Sequence, residues 1–137
     1  MLLGFCECQR VQFEVDGEIN DFSHCHCSQC RRLHGAAYAT FAGVARDQFR
    51  YVSRKDAIKS YASSESHDRI FCGECGSNIM VALDDDPENF YLSMSTLEGD
   101  PPRPAGYHIY IGSKAAWHEI SDDLAQYEED VPECLPA

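Results

Sequence analysis

The sequence predicts a mainly β domain made of several small antiparallel sheets with one or two short helices. One run alternates apolar and polar residues with the period of a half-buried strand, and many further short strand-like runs follow it, each bounded by Gly, Pro, Asp or Ser. Helical periodicity is weak along the chain. The 137 residues are enough for one domain, which would bury roughly two thirds of the surface that the unfolded chain exposes.

The predicted strands follow one another along most of the chain. Val11, Phe13 and Val15 alternate with polar residues in the first strand, and Asp16-Gly17 supplies a turn that predicts a hairpin with the second. The later strand-like runs are residues 19–25, 37–42, 49–52, 58–62, 69–71, 78–83, 90–95 and 107–111. Many short strands of this kind favour a mainly β architecture.

Two short helices are predicted, at residues 28–33 and 121–127, the second with Ser121 as its cap. The proline-rich residues 101–104 predict an extended connector between two strands. We assign residues 1–130 to a single domain and residues 131–137 to a C-terminal tail.

The chain is strongly acidic, with a formal net charge of −12. Nucleic-acid binding depends on clustered Lys and Arg, and the sequence has no such cluster, so nucleic acid is not an expected partner. The apolar residues 1–5 are too few for the h-region of a signal peptide, and no run approaches the roughly 18 apolar residues of a membrane span. We therefore expect a cytoplasmic protein that does not bind membranes.

Seven of the eight cysteines lie in short clusters, which are Cys6-x-Cys8, Cys25-x-Cys27-x-x-Cys30 and Cys72-x-x-Cys75. In a reducing compartment such clusters bind metal more often than they form disulfides, and a Cys-x-Cys disulfide would be strained. An iron–sulfur cluster normally takes four cysteines, which would leave three over. Zinc fits these thiolates and spacings best.

The clustered cysteines divide most simply into four plus three. One tetrahedron would be closed by Cys6, Cys8, Cys72 and Cys75, and a second ion with one open position would be held by Cys25, Cys27 and Cys30. Closed zinc sites are structural, whereas open sites can be catalytic. Spacing leaves open whether a fourth protein ligand fills that position, and the candidates are His24, His26 and Cys134. On an extended strand the two histidines point away from the neighbouring cysteines, and Cys134 lies in the predicted tail.

With these motifs the chain resembles the glutathione-dependent formaldehyde-activating enzyme family. The matching residues are Gly4-Phe5-Cys6-Glu7-Cys8, His24-Cys25-His26-Cys27-Ser28-Gln29-Cys30-Arg31, Gly35-Ala36, Phe41-Ala42-Gly43-Val44, Phe71-Cys72-Gly73-Glu74-Cys75-Gly76-Ser77, His108 and Trp117. The resemblance implies a β-tent fold of small sheets that is organised around two zinc ions per chain. It also implies a structural zinc on Cys6, Cys8, Cys72 and Cys75 and a catalytic zinc on Cys25, Cys27 and Cys30.

The activity implied by the resemblance joins glutathione to formaldehyde. Coordination to zinc would convert the glutathione thiol into a thiolate, which would add to formaldehyde and form S-hydroxymethylglutathione. The reverse reaction is a carbon–sulfur lyase step. As substrate contacts we predict His26, a proton shuttle, and Arg31, which with Arg32 could bind a carboxylate of glutathione. Trp117 is expected in the core or in a pocket wall.

A second hypothesis comes from a different class of function. Both zinc ions could stabilise a protein-interaction module, since one fold can host either function. In that case a side chain of the protein would close the three-cysteine site, whereas an open position there indicates the enzyme.

Overall fold

The computed structural model describes residues 1–131 of the chain, in which eleven strands and one α-helix form a mainly β fold. The strands are β1 (Leu2–Phe5), β2 (Gln12–Val15), β3 (Asp21–Cys25), β4 (Ala39–Ala45), β5 (Phe49–Ser53), β6 (Ile58–Ser64), β7 (His67–Cys72), β8 (Asn78–Leu83), β9 (Asn89–Ser93), β10 (Tyr107–Ile109) and β11 (Ala125–Gln126). The helix, α1, spans Ser28–His34. The predicted fold class is confirmed.

The strands form two sheets. The small sheet has the order β1-β2-β5 and is antiparallel, while the large sheet has the order β11-β10-β3-β4-β9-β8-β7-β6. The large sheet is antiparallel from β3 to β6, but β10 runs parallel to both β3 and β11. The proline-rich connector at residues 101–104 precedes β10 and belongs to the crossover that makes this parallel pairing possible.

The hairpin predicted between the first two strand runs is wrong. β2 is the central strand of the small sheet, and both of its edges are already paired, one with β1 and one with β5. β3 therefore joins the large sheet instead. The apolar residues at the start of the chain form β1, a strand that the alternation pattern did not indicate, and pair Leu2 with Val15.

The helix predicted at residues 121–127 is also wrong. Leu124 N donates to Asp122 Oδ1 at 3.0 Å, which makes a local turn, and Tyr127 N donates to His108 O at 2.9 Å. Because the backbone of this segment pairs with β10, it forms the short strand β11 rather than a helix.

Helix α1 lies at the predicted position and is capped at both ends. The side chain of Cys27 is the N-cap and accepts a hydrogen bond from Cys30 N at 3.3 Å. Gly35 ends the helix in the left-handed conformation with φ 59°, and its N–H donates to Arg31 O. Cys30 is the residue that α1 buries.

The main core joins side chains from both sheets. Phe13 and Val15 of β2 pack with Val44 of β4 and Leu92 of β9 in one buried cluster. A smaller cluster surrounds the three-cysteine site and contains Cys25, Cys30, Ala39, Phe41 and Val81. Within residues 1–131, no helix has the length and apolar character needed to cross a membrane.

Trp117 does not lie where it was expected. Its side chain is 74% exposed, so the prediction of a core or pocket-wall residue is wrong. The indole belongs to the segment between β10 and β11, and in that segment Ala115 takes the buried position instead. Cys134 lies outside the described residues.

Candidate functional site

Four cysteines lie close together where a turn of the small sheet meets a turn of the large sheet. Cys6 and Cys8 lie between β1 and β2, while Cys72 ends β7 and Cys75 precedes β8. The four Sγ atoms lie within 4.8 Å of one another, with Cys6 and Cys8 3.5 Å apart and Cys8 and Cys72 3.9 Å apart. A tetrahedral ion with metal–sulfur bonds of about 2.3 Å separates its ligands by about 3.8 Å, so the arrangement fits such an ion.

The surroundings of the four-cysteine site favour thiolates to different degrees. Burial raises the pKa of Cys6 to about 11, although Val11 N donates to its Sγ at 3.4 Å. Burial acts in the same direction on the more exposed Cys75, but hydrogen bonds from Ser77 outweigh it and lower the pKa of this thiol to about 6. Gly76, at φ 81°, makes the tight turn that returns the chain toward Cys72, whose carbonyl oxygen accepts from Gly76 N at 2.7 Å.

A second group of three cysteines lies at the end of β3 and the start of α1. The Sγ atoms of Cys25, Cys27 and Cys30 also lie within 4.8 Å of one another. In the part of the chain that the structure describes, no fourth His, Cys, Asp or Glu belongs to this group. The pKa of Cys27 is lowered because Cys25 and Cys30 donate hydrogen bonds to its sulfur, whereas the same bond raises the pKa of Cys25.

The two histidines that flank Cys25 in the sequence, His24 and His26, have partners other than the three cysteines. His24 Nδ1 lies 2.8 Å from Thr40 Oγ1, and His26 Nε2 lies 2.8 Å from His108 Nδ1. His108 Nε2 in turn lies 3.0 Å from Asp122 Oδ2. Burial, together with the nearby histidines, lowers the pKa of His26 to about 4. His26 is therefore a fully buried residue of a histidine cluster, with an Nδ1 atom that has no hydrogen-bond partner among the described residues.

A cavity of about 480 Å³ opens at the three-cysteine site. All three cysteines line it, together with Arg69 of β7, Tyr110 and Asp21. The cavity thus joins a cluster of sulfur ligands to a space that suits a small molecule.

The basic residues predicted as substrate contacts lie beside the cavity rather than in its wall. Arg31 Nε lies 3.4 Å from His26 O, and Arg32 is exposed. Neither of them, nor His26, lines the cavity, and the substrate roles of His26 and Arg31 stay predictions.

Sequence reasoning missed Arg69, the arginine that lines the cavity, and also His67, which lines it too. Arg69 is 5% exposed as a residue, and its Nη1 lies 3.5 Å from Cys30 Sγ. One signal in the sequence could have indicated Arg69, which is a charged residue within the short strand-like run at residues 69–71. Charged residues are rarely buried without a partner, so an arginine in a strand indicates a partner nearby.

At another part of its wall the cavity is acidic and aromatic. Tyr107 OH donates to Asp21 Oδ1 at 2.8 Å. Burial raises the pKa of Asp21, and this effect outweighs the opposing hydrogen bond from Tyr107. Burial and the same carboxylate raise the pKa of Tyr107, so the tyrosine remains a hydrogen-bond donor near neutral pH.

Comparison with known proteins relates this arrangement to one family. Residues 1–113 match the model of the family described as "Glutathione-dependent formaldehyde-activating enzyme". An uncharacterized lyase of Schizosaccharomyces pombe is 26% identical over 127 residues, which cover 93% of this chain and 90% of that protein. A Halomonas elongata protein named "Putative glutathione-dependent formaldehyde-activating enzyme" is 29% identical over 132 residues, which cover 88% of this chain and 81% of that protein. The crystal structure of a Rhodobacter sphaeroides protein matches with a TM-score of 0.60 and 26% identity, and covers 73% of this chain and 91% of that one.

Proposed function

We propose that this protein is a zinc-dependent carbon–sulfur lyase. The proposal starts from its family, since the chain belongs to the glutathione-dependent formaldehyde-activating enzyme family and is a lyase-type enzyme. The substrate is a small thiol adduct, and the proposed pair is glutathione and formaldehyde. In the synthetic direction the thiol sulfur bonds to the carbonyl carbon, the carbon–oxygen π bond breaks, and the oxygen takes up a proton. The product is S-hydroxymethylglutathione, and the lyase direction reverses each of these changes.

One observation carries this proposal. The three-cysteine site lies in the wall of the 480 Å³ cavity, and no further His, Cys, Asp or Glu among residues 1–131 completes it. Zinc in proteins takes four ligands, and catalytic sites keep one position for water or substrate. The site therefore suits a thiol that enters through the cavity.

The donor atoms fit zinc. Thiolate sulfur is a preferred ligand of Zn²⁺, and both cysteine groups have Sγ atoms close enough to share one ion. We assign a structural ion to Cys6, Cys8, Cys72 and Cys75, and a catalytic ion to Cys25, Cys27 and Cys30. When bound, zinc would supply a positive charge that favours the thiolate form of a guest thiol.

The residues of the chain do the rest of the positioning. Cys27 is held by its hydrogen bond from Cys30 N, and Cys25 is held by the pairing of β3 with β4 and β10. The ligands are thus placed by one strand end and one helix start, which are rigid elements. The tyrosines and Asp21 along the cavity provide hydrogen-bond partners for the polar groups of a thiol such as glutathione.

The experiment compares the wild-type protein with Cys27→Ala. We expect metal analysis of protein purified without chelator to find about two zinc ions per chain in the wild type. We expect the wild type to accelerate the formation of S-hydroxymethylglutathione above the uncatalysed rate, as measured by NMR with carbon-labelled formaldehyde. Cys27→Ala should remain folded and show only the uncatalysed rate.

Two results would contradict the proposal. A wild-type protein with both ions that neither binds glutathione nor accelerates the reaction would reject this substrate pair. A wild-type protein whose three-cysteine site takes up no ion from excess zinc would reject the zinc-dependent mechanism itself.

A further inference from the structure

Arg69 is a buried cation at the three-cysteine site. Its side chain comes from β7, and the residue is 5% exposed. Nε donates to Ser63 Oγ at 3.0 Å, Nη2 lies 3.4 Å from Gln29 Oε1, and Nη1 lies 3.5 Å from Cys30 Sγ. These partners are a hydroxyl, an amide and a thiol, none of which has the permanent negative charge of a carboxylate.

A buried guanidinium normally pairs with an anion, because taking a charge out of water is costly. Within residues 1–131, no Asp or Glu oxygen lies within 4.0 Å of Arg69. Arg46, which directly follows β4, shows another solution, since it is only partly buried and donates to the carbonyl oxygens of Leu83, Asp86 and Asn89. Arg69 instead points one nitrogen at a metal-ligand sulfur.

The missing negative charge is that of the thiolates. Three thiolates and one divalent zinc ion sum to about −1, and an added thiolate substrate would bring the sum to about −2. Such an excess of negative charge in a partly buried site opposes the entry of an anionic substrate. A guanidinium beside Cys30 reduces the excess by one unit.

We propose that Arg69 is the counter-ion of the three-cysteine site, which holds the Cys30 thiolate in place and offsets the negative charge that a second anion would meet. The inference rests on the proposed function, because it assumes zinc on these cysteines. Arg69 is thus a positioning residue that acts through Cys30. Each of its three nitrogens has one partner, in Ser63, Gln29 and Cys30, and these contacts fix the guanidinium beside the Cys30 sulfur.

The test measures zinc affinity at each site separately, by competition with a chromophoric chelator and by NMR of cadmium-substituted protein, in which each site has its own resonance. Arg69→Met should weaken zinc binding at the three-cysteine site about 10- to 100-fold and shift only the cadmium resonance of that site. Arg69→Lys keeps the charge and should stay within a few fold of the wild-type affinity. The matched control is Arg46→Met, which removes backbone hydrogen bonds and should lower thermal stability while leaving both zinc affinities unchanged.

Three outcomes would overturn the inference. One is wild-type zinc affinity at the three-cysteine site of Arg69→Met. Another is a loss in Arg69→Lys as large as that predicted for Arg69→Met, a result that also decides the matter if the methionine variant does not fold. The third is unchanged zinc affinity in Arg69→Met with weaker binding of glutathione but normal binding of cysteamine, which would make Arg69 a contact of the substrate carboxylate.

Failure of the proposed function remains distinguishable. If the wild type holds two zinc ions but binds no thiol, the proposed reaction is rejected. The affinity differences among the Arg69 variants still test the counter-ion role in that case.

Discussion

Asp21 shows how the cavity changes the chemistry of a single carboxylate. The residue begins β3 and lines the cavity, where burial raises the pKa of its carboxyl group. Tyr107 OH donates to it and acts in the opposite direction, while Asp130 adds to the rise. The folded chain therefore holds a proton on Asp21 to a higher pH than the unfolded chain does.

We predict that Asp21→Asn removes a pH-dependent loss of stability. As pH rises from the ordinary pKa of an aspartate to the raised pKa of Asp21, the unfolded chain releases this proton first, so the free energy of unfolding falls through that window. The neutral asparagine has no such loss and can still accept a hydrogen bond from Tyr107. Thermal unfolding should find Asp21→Asn more stable than the wild type near neutral pH, with the difference shrinking below about pH 4. The exposed Asp123→Asn is the control, and an equal gain there would contradict the explanation from burial.

At the scale of elements, α1 connects helix capping to the three-cysteine site. The same Cys27 sulfur that belongs to the three-cysteine group accepts the N-cap hydrogen bond from Cys30 N. At the other end, Gly35 supplies the left-handed residue that ends the helix. A disturbance of either cap therefore reaches Cys27 and Cys30 through the short helix.

We predict that Gly35→Ala destabilises the protein by about 1 to 2 kcal/mol, because an L residue pays for the left-handed conformation. A Cβ added to Gly35 meets no other atom within 4 Å, so the effect isolates the backbone conformation from packing. Gly35→Asn should lose less, since asparagine tolerates this conformation better. Urea unfolding of the zinc-loaded proteins measures both changes. Equal stability of the alanine variant and the wild type would contradict the cap assignment.

How far the sequence predicts these elements depends on whether local or distant partners decide them. The strand at residues 78–83 follows from a local apolar run bounded by Ser77 and Asp84, helix α1 was expected as a short turn after Cys27, and the structure confirms both. The wrong helix at residues 121–127 and the wrong hairpin have one cause, which is backbone pairing with strands far away in the sequence. Each cysteine motif was predictable because its spacing is local, but the joining of Cys6 and Cys8 with Cys72 and Cys75 spans 64 residues and was predicted from the simplest division of the ligands and from the family resemblance.

The role of Arg69 shows the corresponding limit within the site. Arg69 lies beside Cys30, a residue 39 positions away in the sequence. Neither residue's local pattern predicts that contact. The charges around the three-cysteine site therefore could not be predicted from the sequence and became visible only in the folded structure.

In the molecule as a whole, the two cysteine groups have different structural positions. The four-cysteine site joins the β1–β2 turn of the small sheet to the β7–β8 turn of the large sheet, and Cys6 and Cys72 belong to the main core. The three-cysteine site lies within the large sheet and α1. Loss of the first would remove one of the links between the two sheets, whereas loss of the second would change one wall of the cavity.

We predict that Cys72→Ala fails to fold cooperatively, while Cys27→Ala folds and retains one zinc ion. Structural zinc sites contribute about 10 to 16 kcal/mol of apparent binding free energy, which is comparable to the whole stability of a typical domain of about 5 to 15 kcal/mol. Circular dichroism melts combined with metal analysis measure both properties. If the two variants unfold alike, the division into a structural and a catalytic ion is wrong.

The position of Trp117 has a practical consequence for spectroscopy. It is the single tryptophan of the chain, and most of its indole already contacts water in the folded state. Its emission should therefore change little when the protein denatures, and an unfolding curve followed by intrinsic fluorescence alone would understate the transition. The same solvent contact makes the indole accessible to a dissolved quencher even in the intact protein, so efficient quenching is no sign of a damaged sample.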